Sequence, residues 1–223
     1  MRAQLSVVIP TLNAQEALPA CLASLMEGVE AGLIRELILS DGGSTDATQT
    51  IAEDTGALFI SGPPSRGGQL RRGVAAAQGE WLLILHADSR LSEGWAALVQ
   101  SHLPKDTPGH FRLRFDARGL APAWVAGWAN IRSRLFKLPY GDQGLLISRA
   151  SYDAVGGYRD IPLMEDVAMA RALGRSLTQL PAAITTSADK YQRDGWLRRG
   201  ARNVSLLLRY LMGGDPENLV RRY

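Results

Sequence analysis

At 223 residues, 46% apolar and 21% charged, the chain can bury a full hydrophobic core, which excludes a disordered protein. A net charge of +3 is too small to argue for nucleic acid, and with only three lysines (Lys105, Lys137, Lys190) among 25 basic residues, any single arginine is weak evidence for an anion site. The lone cysteine, Cys21, excludes an internal disulfide and any multi-cysteine metal site, and the scattered His86, His102 and His110 offer no zinc spacing.

The chain starts Met1-Arg2-Ala3-Gln4 and turns apolar from Leu5 to Ile9. That run is short and stops at Pro10, with Asn13 and Glu16 following, so it reads as a first strand and not as a signal peptide. No stretch approaches the ~18 consecutive apolar residues of a bilayer span. Leu120 to Ile131 comes nearest and contains Pro122. A cytoplasmic location is expected.

From there strand and helix alternate. Ala14–Met26 sets Ala17, Leu18, Cys21, Leu22 and Leu25 on one helical face, in which Cys21 is a small buried hydrophobe. Strand Glu36–Ser40, helix Asp46–Thr55 and strand Ala57–Ile60 follow, then a Gly-Pro-Pro turn at 62–64. A helix over Gln69–Ala77, strand Trp81–Leu85 and helix Glu93–His102 complete the first half. Four strands with intervening helices predict an α/β fold with a doubly wound, mostly parallel central sheet flanked by helices.

After Pro104 the pattern changes. Phe111, Leu113 and Phe115 alternate with Arg112 and Arg114, the period of a half-exposed strand. A tryptophan-rich helix is expected over Ala123–Lys137, a strand over Gly144–Ser148 and a helix over Glu165–Leu173. No flexible linker interrupts residues 1–223, which predicts one domain. The last helix, about Gly195–Met212, sets Leu197, Ala201, Val204, Leu208 and Leu211 in a stripe away from Arg198, Arg199, Arg202 and Arg209. Docking of that stripe on the protein's own core is the favoured expectation. Peripheral contact with the inner membrane face stays open, because residues 190–223 hold eight basic and three acidic residues.

The chemistry-bearing residues fall at strand ends and one helix start. Leu37-Ile38-Leu39-Ser40-Asp41-Gly42-Gly43-Ser44-Thr45-Asp46 is a buried strand ending in an acid, two glycines and a helix cap. Ligands in such sheets bind beyond the carboxyl ends of the strands, which is where Asp41 falls. Trp81-Leu82-Leu83-Ile84-Leu85-His86-Ala87-Asp88 repeats the arrangement. One carboxylate plus a diphosphate suits a hard divalent cation, although Asp88 alone also fits an ordinary turn. Glu165-Asp166 opens a helix, where acids serve as caps and dipole partners unless a ligand faces them. Adjacent helical residues point about 100° apart, so one of the two should face a given ligand. Tyr140-Gly141-Asp142-Gln143-Gly144 is a further polar turn. No P-loop, G-x-G-x-x-G or G-x-S-x-G pattern is present.

In combination these residues resemble a family 2 glycosyltransferase with the GT-A fold. The resemblance rests on Val7-Val8-Ile9-Pro10-Thr11-Leu12-Asn13, Asp41-Gly42-Gly43-Ser44-Thr45-Asp46, Gly73 and Gly79, His86-Ala87-Asp88 and Glu165-Asp166, in the family's order from residue 5 to about 175. It implies a nucleotide-diphosphate sugar donor and a divalent metal, Mn²⁺ or Mg²⁺. Asp41 would contact the nucleobase, with Gly42 beside it, and Pro10, Thr11 and Asn13 would line the nucleotide pocket. Asp88 would hold the metal, Asp166 would be the general base, and Glu165 would position the acceptor or the helix. His86-Ala87-Asp88 stands where members often carry Asp-x-Asp, which leaves His86 a hydrogen-bonding residue or a weak ligand.

His-Ala-Asp, the Gly141-Asp142-Gln143 turn and Ile161-Pro162-Leu163-Met164-Glu165-Asp166 resemble a compact bacterial branch of the family associated with arsenosugar biosynthesis. Members of that branch usually carry Asn at the position of Arg71. Residues 1–103 would form the nucleotide-sugar half, 104–190 the acceptor side with Asp142 and Gln143, and 191–223 the basic C-terminal helix. Arg66, Arg71 and Arg72 would add positive potential for the departing diphosphate. The reaction expected is inverting transfer to an acceptor hydroxyl, on a small or lipid-linked molecule. The rivals are a non-catalytic nucleotide-sugar-binding scaffold and a sugar-nucleotide pyrophosphorylase. The latter would need a glycine-rich basic loop after the first strand, where this chain has Pro10-Thr11-Leu12-Asn13.

Overall fold

A computed structural model describes residues 3–220. Met1, Arg2 and residues 221–223, which hold two of the arginines counted in the C-terminal segment, lie outside the described residues. In chain order the main elements are β1 (Leu5–Thr11), α1 (Leu18–Glu30), β2 (Ile34–Asp41), α2 (Thr48–Asp54), β3 (Leu58–Ser61), α3 (Arg66–Ala76), β4 (Trp81–Ile84), β5 (Arg90–Leu91) and α4 (Trp95–His102). The second half adds β6 (Gly109–Phe115), α5 (Leu120–Phe136), β7 (Leu145–Ser148), α6 (Arg149–Ala154), α7 (Glu165–Leu173), β8 (Thr178–Thr186), α8 (Asp189–Asp194), α9 (Trp196–Leu211) and α10 (Pro216–Val220).

The strands form one sheet in the order β3-β2-β1-β4-β7-β6-β8-β5. β3, β2, β1 and β4 run parallel, as do β6 and β8, while β7 is antiparallel to both β4 and β6, and β5 to β8. The chain is therefore a single α/β domain with a mostly parallel sheet between helices. Residues alternate between its faces inside continuous apolar runs. Leu5, Val7 and Ile9 pack with Leu18, Cys21, Leu25 and Trp95 on one side, and Val8 packs with Leu70, Val74 and Met169 on the other. Burial on both faces is why the runs Val7–Ile9 and Leu82–Leu85 are apolar at every position.

Glycine admits two close approaches. A Cβ on Gly73 would come within 2.5 Å of Val8 Cγ1, and one on Gly79 within 2.6 Å of Gln4 O, so α3 and the turn before β4 lie directly on β1. Element bounds otherwise fall within a few residues of the expected ones. Five elements were not expected: the strands β5 and β8 and the short helices α6, α8 and α10. β8 contains Pro181, which argues against an interior strand. It is accommodated where the β6–β8 register shifts between His110 and Arg112.

The last helix corrects an expectation. The stripe of Leu197, Ala201, Val204, Leu208 and Leu211 does not dock on the core; Leu197 is 72% exposed and Leu208 53%. The inward side of α9 is instead Arg199, Leu206 and Leu207. Arg199 is drawn in by Asp194, whose Oδ2 accepts its Nη1–H at 2.8 Å, and Leu206 and Leu207 pack on Met164, Val167 and Leu219. Adjacent helical residues point about 100° apart, so burying Leu206 and Leu207 turns Leu208 outward.

Candidate active site

Because β1, β2 and β4 run parallel, their carboxyl ends open on one side of the sheet. Pro10 lies beside Ser40 and Thr11 beside Asp41 in register. Gln69, reaching over from α3, donates from Nε2 to Thr11 O at 2.7 Å and Ser40 O at 3.1 Å, pinning the two strand ends together. Asn13, at φ 49°, donates its amide to Ser44 Oγ at 2.7 Å and accepts from the Thr45 amide at 2.9 Å, joining the loops after β1 and β2.

Asp41 is buried beneath this surface. Oδ1 accepts from Thr11 Oγ1 at 2.9 Å and Ser44 Oγ at 2.5 Å, and Oδ2 accepts from the amides of Gly43 and Ser44, both at 2.7 Å. Burial pushes the carboxyl up, but these bonds outweigh it and hold it below the ordinary aspartate value. Four acceptances use about all the lone pairs of a carboxylate. In this arrangement Asp41 shapes the cleft by holding Thr11, Gly43 and Ser44, and leaves no oxygen for a nucleobase. Gly42 is packed on Gln69, which a Cβ would meet at 3.1 Å.

Two adjoining cavities lie over the strand ends. One is lined by Pro10, Thr11, Leu12, Asn13, Ser65, Gln69 and Ala87 among others. The second is lined by Tyr140, Gly141, Asp142, Glu165, Asp166, Tyr191, Arg199 and Asn203 among others. Arg66, His86, Asp88, Leu163 and Lys190 line both, so the cavities meet at the end of β4.

At that junction Asp88 Oδ1 is buried with no hydrogen-bond partner among the described residues. A carboxylate oxygen left bare at a cleft is costly unless a ligand supplies its partner. Among the described residues no group of three or more His, Cys, Asp or Glu side chains is arranged to hold a metal ion. The donor set fits a divalent cation that takes one carboxylate here and its remaining oxygens from a diphosphate and water. His86 packs against Gly141, which has no room for a side chain there. Burial, then Arg66 and Lys190, push the His86 imidazole well below its ordinary value, so it is neutral.

The acids of the second cavity differ in environment. Asp166 accepts the Gly141 amide at 2.6 Å on Oδ2 and the Val167 amide at 2.7 Å on Oδ1, while keeping part of its surface open. Glu165 is 3% exposed, with Oε1 3.7 Å from Arg66 Nε. Burial and then Asp166 raise its carboxyl, against the opposing pull of Arg66. Asp142, with Oδ1 unpaired, is pushed up to about 6 by burial, a rise that Arg132 opposes and Asp166 and Asp88 add to.

Four expected site residues do not line the cleft: Asp41 and Gly42, which lie beneath it, and Gln143 and Arg71. Gln143 is fully buried and turned inward, bonded to Ser133 Oγ and donating from Nε2 to Phe111 O at 3.2 Å. Residues 141–143 form a 3₁₀ turn, and its ~120° per residue sends Gln143 away from the side Asp142 faces. Arg71 lies on the outer side of α3; five residues past Arg66 it points about 140° away from it. Arg72 is spent on the Asp41 and Pro63 carbonyls, at 3.0 and 3.2 Å. Conversely, Gln69, Lys190, Tyr191, Arg199 and Asn203 line the site without having been expected there. The i, i+4 spacing of Arg199 and Asn203 on a mostly apolar helix is the signal that marks them.

A mixed sheet whose parallel strand ends floor a two-part cleft, with a bare carboxylate at the junction, defines a GT-A-type fold. Residues 6–124 match the model of glycosyl transferase family 2, more than half the chain, and the chain belongs to that family of transferases. A PGL/p-HBAD biosynthesis glycosyltransferase of Mycobacterium tuberculosis is 40% identical over 113 residues, 45% of this chain and 43% of that protein. An uncharacterized glycosyltransferase of the same species is 33% identical over 122 residues, 54% of this chain and 53% of that one. The matches thus span about half the length of these curated relatives. Among solved structures, glucosyl-3-phosphoglycerate synthase from M. tuberculosis, in complex with Mn²⁺, UDP and glucosyl-3-phosphoglycerate, superposes with TM-score 0.59 at 21% identity, covering 95% of this chain and 81% of that one. S. aureus TarS 1-349 in complex with UDP gives 0.61 at 16% identity, covering 84% and 62%. These likenesses are of fold.

Proposed function

We propose that the chain transfers a sugar from a nucleotide-diphosphate sugar to an acceptor hydroxyl with inversion at the anomeric carbon. The observation that carries this reading is the meeting of two cavities at Asp88, one walled by the loop after β1 and the start of α3 and the other by the acids of α7 and the 141–143 turn. The first suits the nucleotide, against Pro10, Thr11 and Asn13, and the second the acceptor. The half 1–103 accordingly supplies most of the donor side and 104–190 the acids of the acceptor side, which Tyr191, Arg199, Asn203 and Leu206 complete. UDP in the TarS and glucosyl-3-phosphoglycerate synthase complexes makes UDP-sugars the first donors to try.

In the reaction the acceptor oxygen forms a bond to the anomeric carbon as the bond from that carbon to the diphosphate oxygen breaks. The leaving nucleoside diphosphate keeps the bonding pair. Asp166 takes the hydroxyl proton, a contribution of about 10²–10⁴-fold for a positioned base. It is the acid of the pair with open surface, and its two backbone bonds fix its direction while leaving lone pairs for a proton. Arg66 and Lys190 place positive charge beside the departing phosphates. Mn²⁺ or Mg²⁺ held on Asp88 would, when bound, neutralise the charge developing on the diphosphate.

The test is a screen of nucleotide-diphosphate sugars with Mn²⁺ or Mg²⁺, following release of nucleoside diphosphate with and without acceptors. The narrower family resemblance puts arsenosugar precursors in the acceptor panel beside lipid-linked alcohols. Slow donor hydrolysis that Asp166→Asn suppresses supports an enzyme. Tight donor binding without turnover on any acceptor, with an unchanged Asp166→Asn variant, would favour the binding-scaffold reading.

A further inference from the structure

The outer face of the α5–α9 pair is built unlike the rest of the surface. Along α5, Leu120, Trp124, Trp128, Ile131 and Leu135 fall within about 80° of arc at 100° per residue, and all are exposed, Trp124 by 64%. The outward stripe of α9, from Leu197 through Ala201 and Val204 to Leu208, runs beside it, and the two helices border one apolar groove. Soluble domains seldom leave so continuous an apolar face uncovered without a partner for it.

Charge says which partner. α5 and α9 together carry six arginines and no aspartate or glutamate. Arg132 and Arg199 turn inward, to the Tyr140 ring and to Asp194. Arg134, Arg198 and Arg209 are exposed. Arg202 lies 3.7 Å from Asp194 Oδ2 as well. On α9, the exposed Arg198 and Arg209 sit about 100–120° round from the apolar stripe, in the flanking position from which a long side chain reaches a headgroup layer while the stripe enters the acyl boundary. Paired tryptophans favour that same boundary, where an apolar ring and a polar N–H are both accommodated. A protein partner covering this face would have to be acidic around an apolar centre, whereas an anionic bilayer offers both along its whole plane.

We propose that the α5–α9 face docks on an anionic lipid bilayer. This does not rest on the reaction proposed above, since a chain without turnover keeps the same surface. The docking also has a direction: the opposite side of α9, through Arg199, Asn203 and Leu206, walls the acceptor cavity. One helix therefore links the bilayer-facing surface to the acid-lined pocket.

The experiment is vesicle flotation of the full chain with phosphatidylcholine vesicles and with phosphatidylcholine–phosphatidylglycerol vesicles, alongside tryptophan emission. The expected result is at least about tenfold tighter binding to the anionic vesicles, weakening with salt, and a blue shift from Trp124 and Trp128. Trp124→Ser/Trp128→Ser should lose binding to both compositions, and Arg198→Glu/Arg209→Glu should lose the preference for anionic lipid. All four side chains are exposed, so far-UV circular dichroism and the melting temperature should report an unchanged fold. Equal binding to both compositions, no binding at all, or binding that survives both double variants would overturn the proposal. So would a concentration-dependent dimer that Trp124→Ser/Trp128→Ser abolishes, which would make this face a contact between two copies.

Discussion

Asp166 Oδ2 accepts the Gly141 amide at 2.6 Å, fastening the start of α7 to the turn that carries Asp142. Gly141 in turn has His86 packed where its side chain would be. The acid at the helix start, the polar turn and the end of β4 are thus one mechanical unit, although 78 residues of sequence separate Asp88 from Asp166.

Asp166→Asn tests the base within this unit. The amide oxygen can still accept from Gly141 or Val167, so the fold and donor affinity should hold while kcat falls by about 10²-fold or more. Steady-state kinetics with an active acceptor, beside calorimetric donor binding, check this. Near-normal kcat would move the base to Glu165 or Asp142.

Glu165 predicts a pH dependence of stability. Its folded carboxyl is raised above the unfolded value of 4.5, so the folded state is favoured when the group is protonated. That stability is fully present below the unfolded value and is lost as pH rises through the folded one, at up to about 1.4 kcal/mol per pH unit within that window. Glu165→Gln should therefore melt with wild type at acid pH and above it in mildly alkaline buffer. Thermal denaturation across pH checks the sign. A variant less stable at every pH would mean that the Arg66 pair outweighs the burial.

Asp88 should couple metal and nucleotide. Mn²⁺ or Mg²⁺ should tighten nucleoside diphosphate binding to the wild type, and Asp88→Ala should remove that enhancement with little change in metal-free affinity. Calorimetry with and without chelator reads both arms. Transfer that persists in excess chelator would take the metal away from Asp88.

Gln143→Ala should behave as a core lesion. It strips partners from Ser133 Oγ and Phe111 O inside a buried network, a loss of about 1–3 kcal/mol. Denaturant titration should show that loss, with acceptor KM unchanged in the protein that remains folded. A raised KM without destabilisation would return Gln143 to the cleft.

Much of the fold was legible because it rests on local rules. Short continuous apolar runs such as Val7–Ile9 and Leu82–Leu85, bounded by turn residues, read as strands buried on both faces, and acids placed just after them fall at the open ends of a parallel sheet. The position of Asp88 followed from that, whereas the Glu165-Asp166 pair, at a helix start, was marked out only by the family resemblance. Strand β8 did not follow, because Pro181 contradicts it locally and only the register shift against β6 accommodates it.

Orientation was the other limit. Periodicity states which side chains of a helix share a face, and it correctly grouped Leu197, Ala201, Val204 and Leu208. It does not state which face meets the protein. That was decided by Asp194 pulling Arg199 inward and by Leu206 and Leu207 filling the space beside Met164 and Val167. The same holds for Gln143, which is turned inward by Ser133 and Phe111 from other segments. Residue type and spacing set what each group can do, and the packing of remote segments sets whether its oxygens face a ligand or are already used.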